Sequence, residues 1–163
     1  MRFILLIFAL FLSACAGPVE TRIDSRGLRA VGPVSFVADP DATGPAVDAR
    51  QMVAQALTGK GYRASEMAEV SLQVTVSDRP ANLSLHSGSD VLTPTSGKKL
   101  CAKREYRLGI TLTKIADGSI FYQSHAAEFH CKLTATEVLP ALVAAALNDI
   151  GAPRGSYMVK RRR

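Results

Sequence analysis

Hydrophobic and polar positions alternate most regularly over residues 70–77. Valine or leucine fills every second position there, and serine, threonine or glutamine fills the positions between them. Successive side chains of a strand point to opposite faces, so this period predicts a strand with one buried face. A second alternating set begins at Tyr106, and Asp117-Gly118 predicts a hairpin whose return strand covers residues 119–131. A shorter β-type run at 34–37 precedes both.

Two other stretches carry apolar residues at helical spacing. The first begins near Pro45 and ends at Gly59, and the second ends at Gly151. Thr134-x-x-Glu137 matches a capping box at the start of the second helix, although Thr136 would serve equally well as its N-cap. Each apolar stripe must be buried, and the sheet offers an apolar face. The sequence therefore predicts an α+β fold, a two-layer sandwich in the order strand, helix, three strands, helix, with a mostly antiparallel sheet and both helices on one face.

The pattern of the N-terminal residues is typical of an export signal. Arg2 precedes ten apolar residues, which at about 1.5 Å per residue are too short to span a bilayer and fit a signal peptide. Leu12-Ser13-Ala14-Cys15 follows and resembles the bacterial lipobox, whose cysteine receives a diacylglycerol and further fatty acids such as palmitate. The resemblance implies an anchored lipoprotein, since two or three acyl chains hold a protein at a membrane stably. The alternative is an ordinary signal peptide in which Cys15 is incidental.

These patterns divide the chain into four parts. We predict a lipoprotein signal peptide at 1–14, the lipidated cysteine and a tether at 15–31, the α+β domain at 32–153 and a basic tail at 154–163. The residues after Cys15 lack the aspartate that retains enterobacterial lipoproteins in the inner membrane. By analogy we expect an outer-membrane lipoprotein whose domain faces the periplasm of the cell envelope.

The charge of the chain is concentrated in the tail. The 163 residues include 20 basic and 14 acidic ones, for a net charge of +6 at pH 7. Loss of Arg2 with the signal peptide leaves +5, and the last four residues carry four of these charges. The rest of the domain is therefore nearly neutral and gives no indication of a nucleic-acid partner. The basic run is either a solvated tail or a contact for an anionic surface such as lipid phosphates or wall polymers. It consists of Lys160, Arg161, Arg162 and Arg163.

Two cysteines remain after Cys15. Beyond the inner membrane the compartment is oxidising, so Cys101 and Cys131 are candidates for a disulfide bond. A two-residue turn at Asp117-Gly118 would leave them about three residues out of register, too far to bond. A longer turn, or a bend of the chain at Cys101, would reduce that gap. Two free thiols are the alternative.

Motifs for catalysis or cofactor binding are absent from the sequence. There is no G-x-S-x-G elbow, phosphate-binding glycine loop or dinucleotide fingerprint. His125 and His130 are an odd number of residues apart on one predicted strand, so they face opposite sides and cannot share a metal ion. We therefore predict no catalytic residue, no metal and no cofactor. An enzyme that uses the long polar loop at 79–99 as a lid is the remaining enzymatic alternative.

One further resemblance concerns the domain itself. Residues 49–62, followed by the alternating strand at 70–76, resemble a segment of small uncharacterised Gram-negative envelope lipoproteins with an α+β domain of unknown function. Related architecture occurs in lipoproteins of curli secretion and of peptidoglycan-synthase activation. The anchor and the missing catalytic motifs favour a non-enzymatic binding or scaffolding module. The alternative is an accessory subunit of an envelope secretion, transport or cell-wall synthesis complex, with an envelope protein as its partner.

Overall fold

The computed structural model of the chain describes residues 18–29, 31–38, 40, 44–81 and 103–161, which form seven strands and two helices. The helices are α1 (Pro45–Gly59) and α2 (Ala135–Ala146). The strands are β1 (Val19–Gly27), β2 (Ser35–Ala38), β3 (Arg63–Ala64), β4 (Val70–Pro80), β5 (Arg104–Lys114), β6 (Ile120–His130) and β7 (Gly155–Arg161).

All seven strands belong to one sheet, in the order β3-β2-β4-β5-β6-β1-β7. The pairs β4–β5, β5–β6, β6–β1 and β1–β7 are antiparallel, whereas β2 runs parallel to both β3 and β4. The sheet is thus mixed but mostly antiparallel. Together with the two helices, it confirms the predicted α+β class.

Within the described residues, one hydrophobic cluster joins the sheet to the helices. Alternate residues of the central strands, such as Leu72, Leu108 and Ile110, are fully buried in it, as their alternation predicted. Helix α1 contacts β4, helix α2 contacts β5, β6 and β1, and the helices contact each other. Burial of one leucine-sized side chain contributes about 1.5–3 kcal/mol, so this cluster is the main source of stability. The helices contribute Ala49, Val53, Leu57, Val138, Leu139, Leu142, Val143 and Ala146.

Helix α2 uses the first of the two caps that the sequence offered. The backbone N–H of Thr134 donates to Glu137 Oε2 at 2.7 Å, and the Thr134 hydroxyl donates to the same oxygen at 2.8 Å. These hydrogen bonds hold the pKa of Glu137 below its ordinary value. Because Thr134 rather than Thr136 is the cap, Pro140 lies inside the helix. Both Thr136 and Pro140 are exposed, so water can reach the carbonyl that proline leaves without a donor.

The hairpin between β5 and β6 has a longer turn than Asp117-Gly118 alone. The N–H of Lys114 donates to the carbonyl of Ser119 at 2.8 Å, so four residues lie between them. Asp117 accepts the N–H of Ser119 at 2.9 Å, and Gly118 takes φ +71°, in the left-handed region that glycine adopts without strain. The longer turn shifts the register by two residues from that of a two-residue turn, and the irregularity between Leu112 and Thr113 restores one, so the rest of the hairpin pairs one residue away from the predicted register.

Both flanks of the predicted domain are part of the sheet. The tether predicted at 15–31 is wrong for Val19–Gly27, which is β1, and the tail predicted at 154–163 is wrong for Gly155–Arg161, which is β7. Strand β1 lies between β6 and β7, so it is an inner strand. Its inward positions include Thr21 and Ser25, whose polarity masks the alternation. The predicted order of elements thus lacked β1, β3 and β7, and the predicted signal peptide lies outside the described residues.

Candidate functional site

A depression crosses the face of the sheet that carries the charged side chains. In its middle row, Arg107 of β5, Ala127 of β6, Arg22 of β1 and Met158 of β7 are successive cross-strand neighbours. Neighbouring strands are about 4.8 Å apart, so the two arginines stand roughly 10 Å apart across the small Ala127 side chain. The resulting depression has a volume of about 580 Å³.

Glu105 lies at one side of this depression and is held by two arginines. Its side chain is 5% exposed, whereas those of Arg79 and Arg107 are 50% and 47% exposed. Arg79 Nε donates to Oε2, and Arg107 Nη2 donates to Oε1 at 3.2 Å. Burial tends to raise the pKa of the Glu105 carboxyl, but the arginine hydrogen bonds outweigh it and lower that pKa below its ordinary value. Glu105 is therefore ionised at neutral pH and fixes the position of Arg107.

Phe129 adds an aromatic surface beside the same depression. The guanidinium carbon of Arg22 lies 5.1 Å from the ring centroid, and Lys103 Nζ lies 4.9 Å from it. Four cations, Arg22, Arg79, Lys103 and Arg107, thus surround a region with two carboxylates, Asp24 and Glu105. The region carries an excess of two positive charges, which favours an anionic ligand.

The next row of the sheet contains a histidine, a carboxylate and a hydroxyl. His125, Asp24 and Ser156 are cross-strand neighbours on β6, β1 and β7. Ser156 Oγ donates to Asp24 Oδ2, and the imidazole of His125 packs over Gly109, where an added Cβ would stand 3.0 Å from Nδ1. In a catalytic triad the imidazole stands between the hydroxyl and the carboxylate. Here the carboxylate occupies the middle position, so the row does not activate Ser156 as a nucleophile.

A second charged cluster is buried on the opposite face, beneath α2. The Glu128 carboxylate is 0% exposed and accepts hydrogen bonds from Thr21 Oγ1 at 2.5 Å and Arg161 Nη2 at 2.8 Å. His130 Nε2 lies 2.8 Å from Oε2. Burial tends to raise the pKa of Glu128, but the contacts with Thr21, His130 and Arg161 outweigh it and lower that pKa. A paired, ionised carboxylate in this position is a structural element that binds β7 to β6.

An apolar hollow of about 600 Å³ lies at the hairpin end of the sheet. Leu28, Val34, Ile115 and Phe121 are among the residues that line it. Leu28 and Ile115 are 37% and 55% exposed. Its mostly aliphatic lining could contact an apolar ligand, but it has few polar groups that would make binding specific.

Most of the site residues predicted from the sequence lie at the end of the sheet away from the β5–β6 hairpin turn, or outside the described ranges. Cys15 and Cys101 are outside the described residues. Cys131 is disulfide-bonded, and since the chain has three cysteines its partner is also outside them. The ladder pairs Arg104 with His130, which places residue 103 opposite Cys131 and leaves Cys101 two residues away instead of three. The pairing of Cys101 with Cys131 stays a prediction.

The basic run predicted to contact an anionic surface is partly engaged within the fold. Lys160 Nζ lies 3.2 Å from Glu20 Oε1, and Arg161 is bound to Glu128. Arg162 and Arg163 lie outside the described residues, as do positions 82–99 of the predicted loop. Residues 79 and 80 of that loop are the end of β4. Lys160 and Arg161 thus serve the pairing of β7 with its neighbours.

The described residues hold neither a cluster of metal ligands nor a helix that could span a membrane. Within them, no group of three or more His, Cys, Asp or Glu side chains is arranged to hold a metal ion. Neither helix of the described ranges combines the length and apolar character that a membrane crossing requires. His125 and His130 do face opposite sides of β6, as their spacing predicted.

The charged depression does not follow from the sequence motifs. Arg22 and Asp24 fall within the predicted tether, where nothing indicates their proximity to Arg107 and His125. The signal that identifies them is the alternation of charged residues with Val19, Thr21, Ile23 and Ser25, all of which are buried. No motif would identify the depression, because it is formed by side chains from separate strands.

No protein-family profile matches the chain, and no curated protein does. Solved structures with a similar fold are known. A PelC variant dodecamer from Paraburkholderia phytofirmans is 14% identical with a TM-score of 0.53, over 82% of this chain and 99% of that one. A second PelC dodecamer structure gives a TM-score of 0.52 at the same identity and coverage. A PDZ domain protein from Parabacteroides distasonis is 10% identical with a TM-score of 0.60, over 94% of this chain but 41% of that one. At these identities the likeness shows a shared fold.

Proposed function

We propose that this protein is a non-enzymatic binding or scaffolding module of the bacterial envelope, anchored to the outer membrane through acyl chains on Cys15. The domain faces the periplasm in this proposal. It forms two layers, with both helices on the core face of the sheet and the charged face open to a partner. We also propose that it belongs with the uncharacterised envelope lipoproteins that residues 49–62 resemble.

The charged depression between Arg22 and Arg107 is the observation that supports a binding role. It brings cations, an aromatic ring and the small Ala127 side chain together at an exposed surface. Such a combination is typical of a site that binds a ligand. The neighbouring row places Asp24 between His125 and Ser156, an order unsuited to nucleophilic catalysis. Binding without turnover is therefore the function that this geometry supports best.

Expression of the full chain in a Gram-negative host, with and without C15S, tests the anchoring. We expect the unsubstituted protein to sediment with membranes and to incorporate an alkyne-tagged fatty acid, and C15S to do neither. Equal membrane association and equal labelling of the two proteins would contradict the anchor. A hydrolase activity of the purified chain that one substitution at Ser156 or His125 abolishes would contradict the non-enzymatic role.

A second candidate function is that of a subunit in an envelope secretion, transport or cell-wall synthesis complex. Two observations favour it: the fold is shared with PelC, whose structures are dodecamers, and β7 forms the end of the sheet. An end strand presents backbone groups that a second copy could pair with. Light scattering of the purified full chain, together with crosslinking in intact cells, separates the candidates. A closed oligomer or one stoichiometric partner favours the subunit, and a monomer without a partner favours the independent module.

A further inference from the structure

We propose that the depression between Arg22 and Arg107 binds an anionic group, either the carboxylate of an acidic sugar or a phosphate. This inference rests on the proposed role as a binding module and names the chemistry of the ligand. Guanidinium groups match both anions because their planar donors can make two parallel hydrogen bonds to one of them. The two arginines of this site flank the same small residue, Ala127, from opposite sides.

Both guanidinium groups keep donors for a ligand. The guanidinium carbon of Arg22 lies 5.1 Å from the centroid of the Phe129 ring, and a guanidinium in such a cation–π contact has five N–H groups from which it can also donate hydrogen bonds. Arg107 uses Nη2 to bind Glu105, one part of a fork that carries five N–H donors. The salt bridge also restricts the movement of Arg107, which reduces the entropy lost when a ligand binds.

The acidic residues of the depression are already engaged. Glu105 accepts hydrogen bonds from Arg79 and Arg107, and Asp24 accepts the hydroxyl of Ser156. The two arginines therefore offset the charge of Glu105, and the hydrogen bond from Ser156 fixes the position of the Asp24 carboxylate. Lys103, whose Nζ lies 4.9 Å from the centroid of the Phe129 ring, adds a further positive charge beside the ring that Arg22 also contacts.

The floor of the depression leaves room for a ligand above the strands. Ala127 is 6% exposed because longer neighbours surround it, and Gly109 lies under the imidazole of His125. The volume of about 580 Å³ lies within the range of roughly 300–1,000 Å³ that small-molecule sites occupy. A single sugar ring with its carboxylate, or a phosphate with part of the molecule that carries it, fits this space.

Titration calorimetry on the purified full chain carrying C15S tests the site. The probes are trigalacturonic acid, inorganic phosphate and the neutral maltotriose, each at low and high sodium chloride. We expect one or both anionic probes to bind, with affinity that falls as salt rises, and maltotriose not to bind. The arm that binds identifies whether the acidic sugar or the phosphate is the preferred source of the anion.

Two variants and one matched control locate the binding. R22Q should weaken the binding of the anionic probe about tenfold or more, because one charged partner is lost. A127L should also weaken this binding, because the larger side chain occupies the space above the strands. R26Q is the control: Arg26 is on the same strand and the same face, but it is bound to Gln123 and does not line the depression. Circular dichroism establishes that each variant is folded.

Several results would overturn the inference. They are the absence of binding by both anionic probes, equal binding of maltotriose, and equal weakening by R22Q and R26Q, which would indicate a diffuse charge effect. None of these results bears on membrane anchoring, since all the proteins compared here carry C15S. Failure of this site is thus distinguishable from failure of the proposed anchored module.

Discussion

Arg161 in the last strand donates hydrogen bonds to both carboxylate oxygens of the fully buried Glu128, at 3.0 and 2.8 Å. A buried carboxylate that loses a partner keeps its desolvation cost without full compensation. The pair therefore connects the C-terminal strand to the core of the sheet, even though β7 itself is largely exposed.

Removal of this partner should destabilise the domain. We expect R161M to lower the free energy of unfolding by about 1.5–3 kcal/mol, the range for hydrogen bonds to charged groups. K160M is the matched control, because the Lys160–Glu20 pair is exposed and such pairs contribute about 0–1 kcal/mol. Urea denaturation followed by circular dichroism measures both values. Equal effects of the two substitutions would contradict the role of Arg161.

Glu128 should also influence the dependence of stability on pH. Its pKa is lower in the folded protein than the value of about 4.3 expected in the unfolded chain. The ionised form therefore stabilises the fold above that pH, and this contribution is lost as the pH falls through the folded pKa. Glu105 and Asp149 also have lowered pKa values, so E128Q should reduce the acid loss without abolishing it.

Urea titrations of the wild type and E128Q between pH 7 and pH 3 measure this difference. We expect the free energies of unfolding of the two proteins to converge at the acid end, with the wild type more stable at neutral pH. A constant difference across the whole range would show that the charge of Glu128 does not contribute.

The N-terminal cap of α2 can be tested by two neighbouring threonines. T134A should lower the free energy of unfolding by about 1 kcal/mol, since Thr134 is the N-cap. T136A should change it by less than about 0.5 kcal/mol, because Thr136 is exposed within the first turn. Thermal unfolding of both variants under one buffer condition gives the comparison. A larger effect of T136A would move the cap to Thr136.

The disulfide predicted between Cys101 and Cys131 can be tested by peptide mapping without reductant. We expect one crosslinked fragment that contains both cysteines. Reduction should lower the free energy of unfolding by about 3–4 kcal/mol on the chain-entropy account of a loop of this length. C101S with C131S should abolish the effect of reductant on stability. A crosslink from Cys131 to any other cysteine would contradict the pairing.

The central strands and both helices were predictable because each buries a regular apolar pattern. The alternation at 70–77 and from Tyr106 corresponds to β4 and β5, and the helical stripes correspond to α1 and α2. Strand β1 is different, since its buried face includes Thr21 and Ser25. These side chains are satisfied by Glu128 and Asp149, more than 100 residues away in sequence. A polar residue whose partner is so distant gives no local sign that it is buried.

The depression was unpredictable for a related reason. Arg22, Ala127 and Arg107 come from three strands whose order in the sheet does not follow the chain. Unless β1 is recognised as a strand of the sheet, the sequence does not indicate which residues lie beside Arg22. The resemblance of residues 12–15 to a lipobox needs no such tertiary information, because an export motif is contiguous in sequence.

The pairing of Val19 with Arg161 has a practical consequence for any fusion protein. The first residue of β1 and the last residue of β7 lie side by side, at the end of the strands opposite the hairpin turn. A reporter attached to the C-terminus would therefore emerge next to the point where the N-terminal segment enters. If Cys15 holds the chain at a bilayer, such a reporter would lie close to the lipid surface, and the turn at 115–118 would be the better position for a label that must extend away from it.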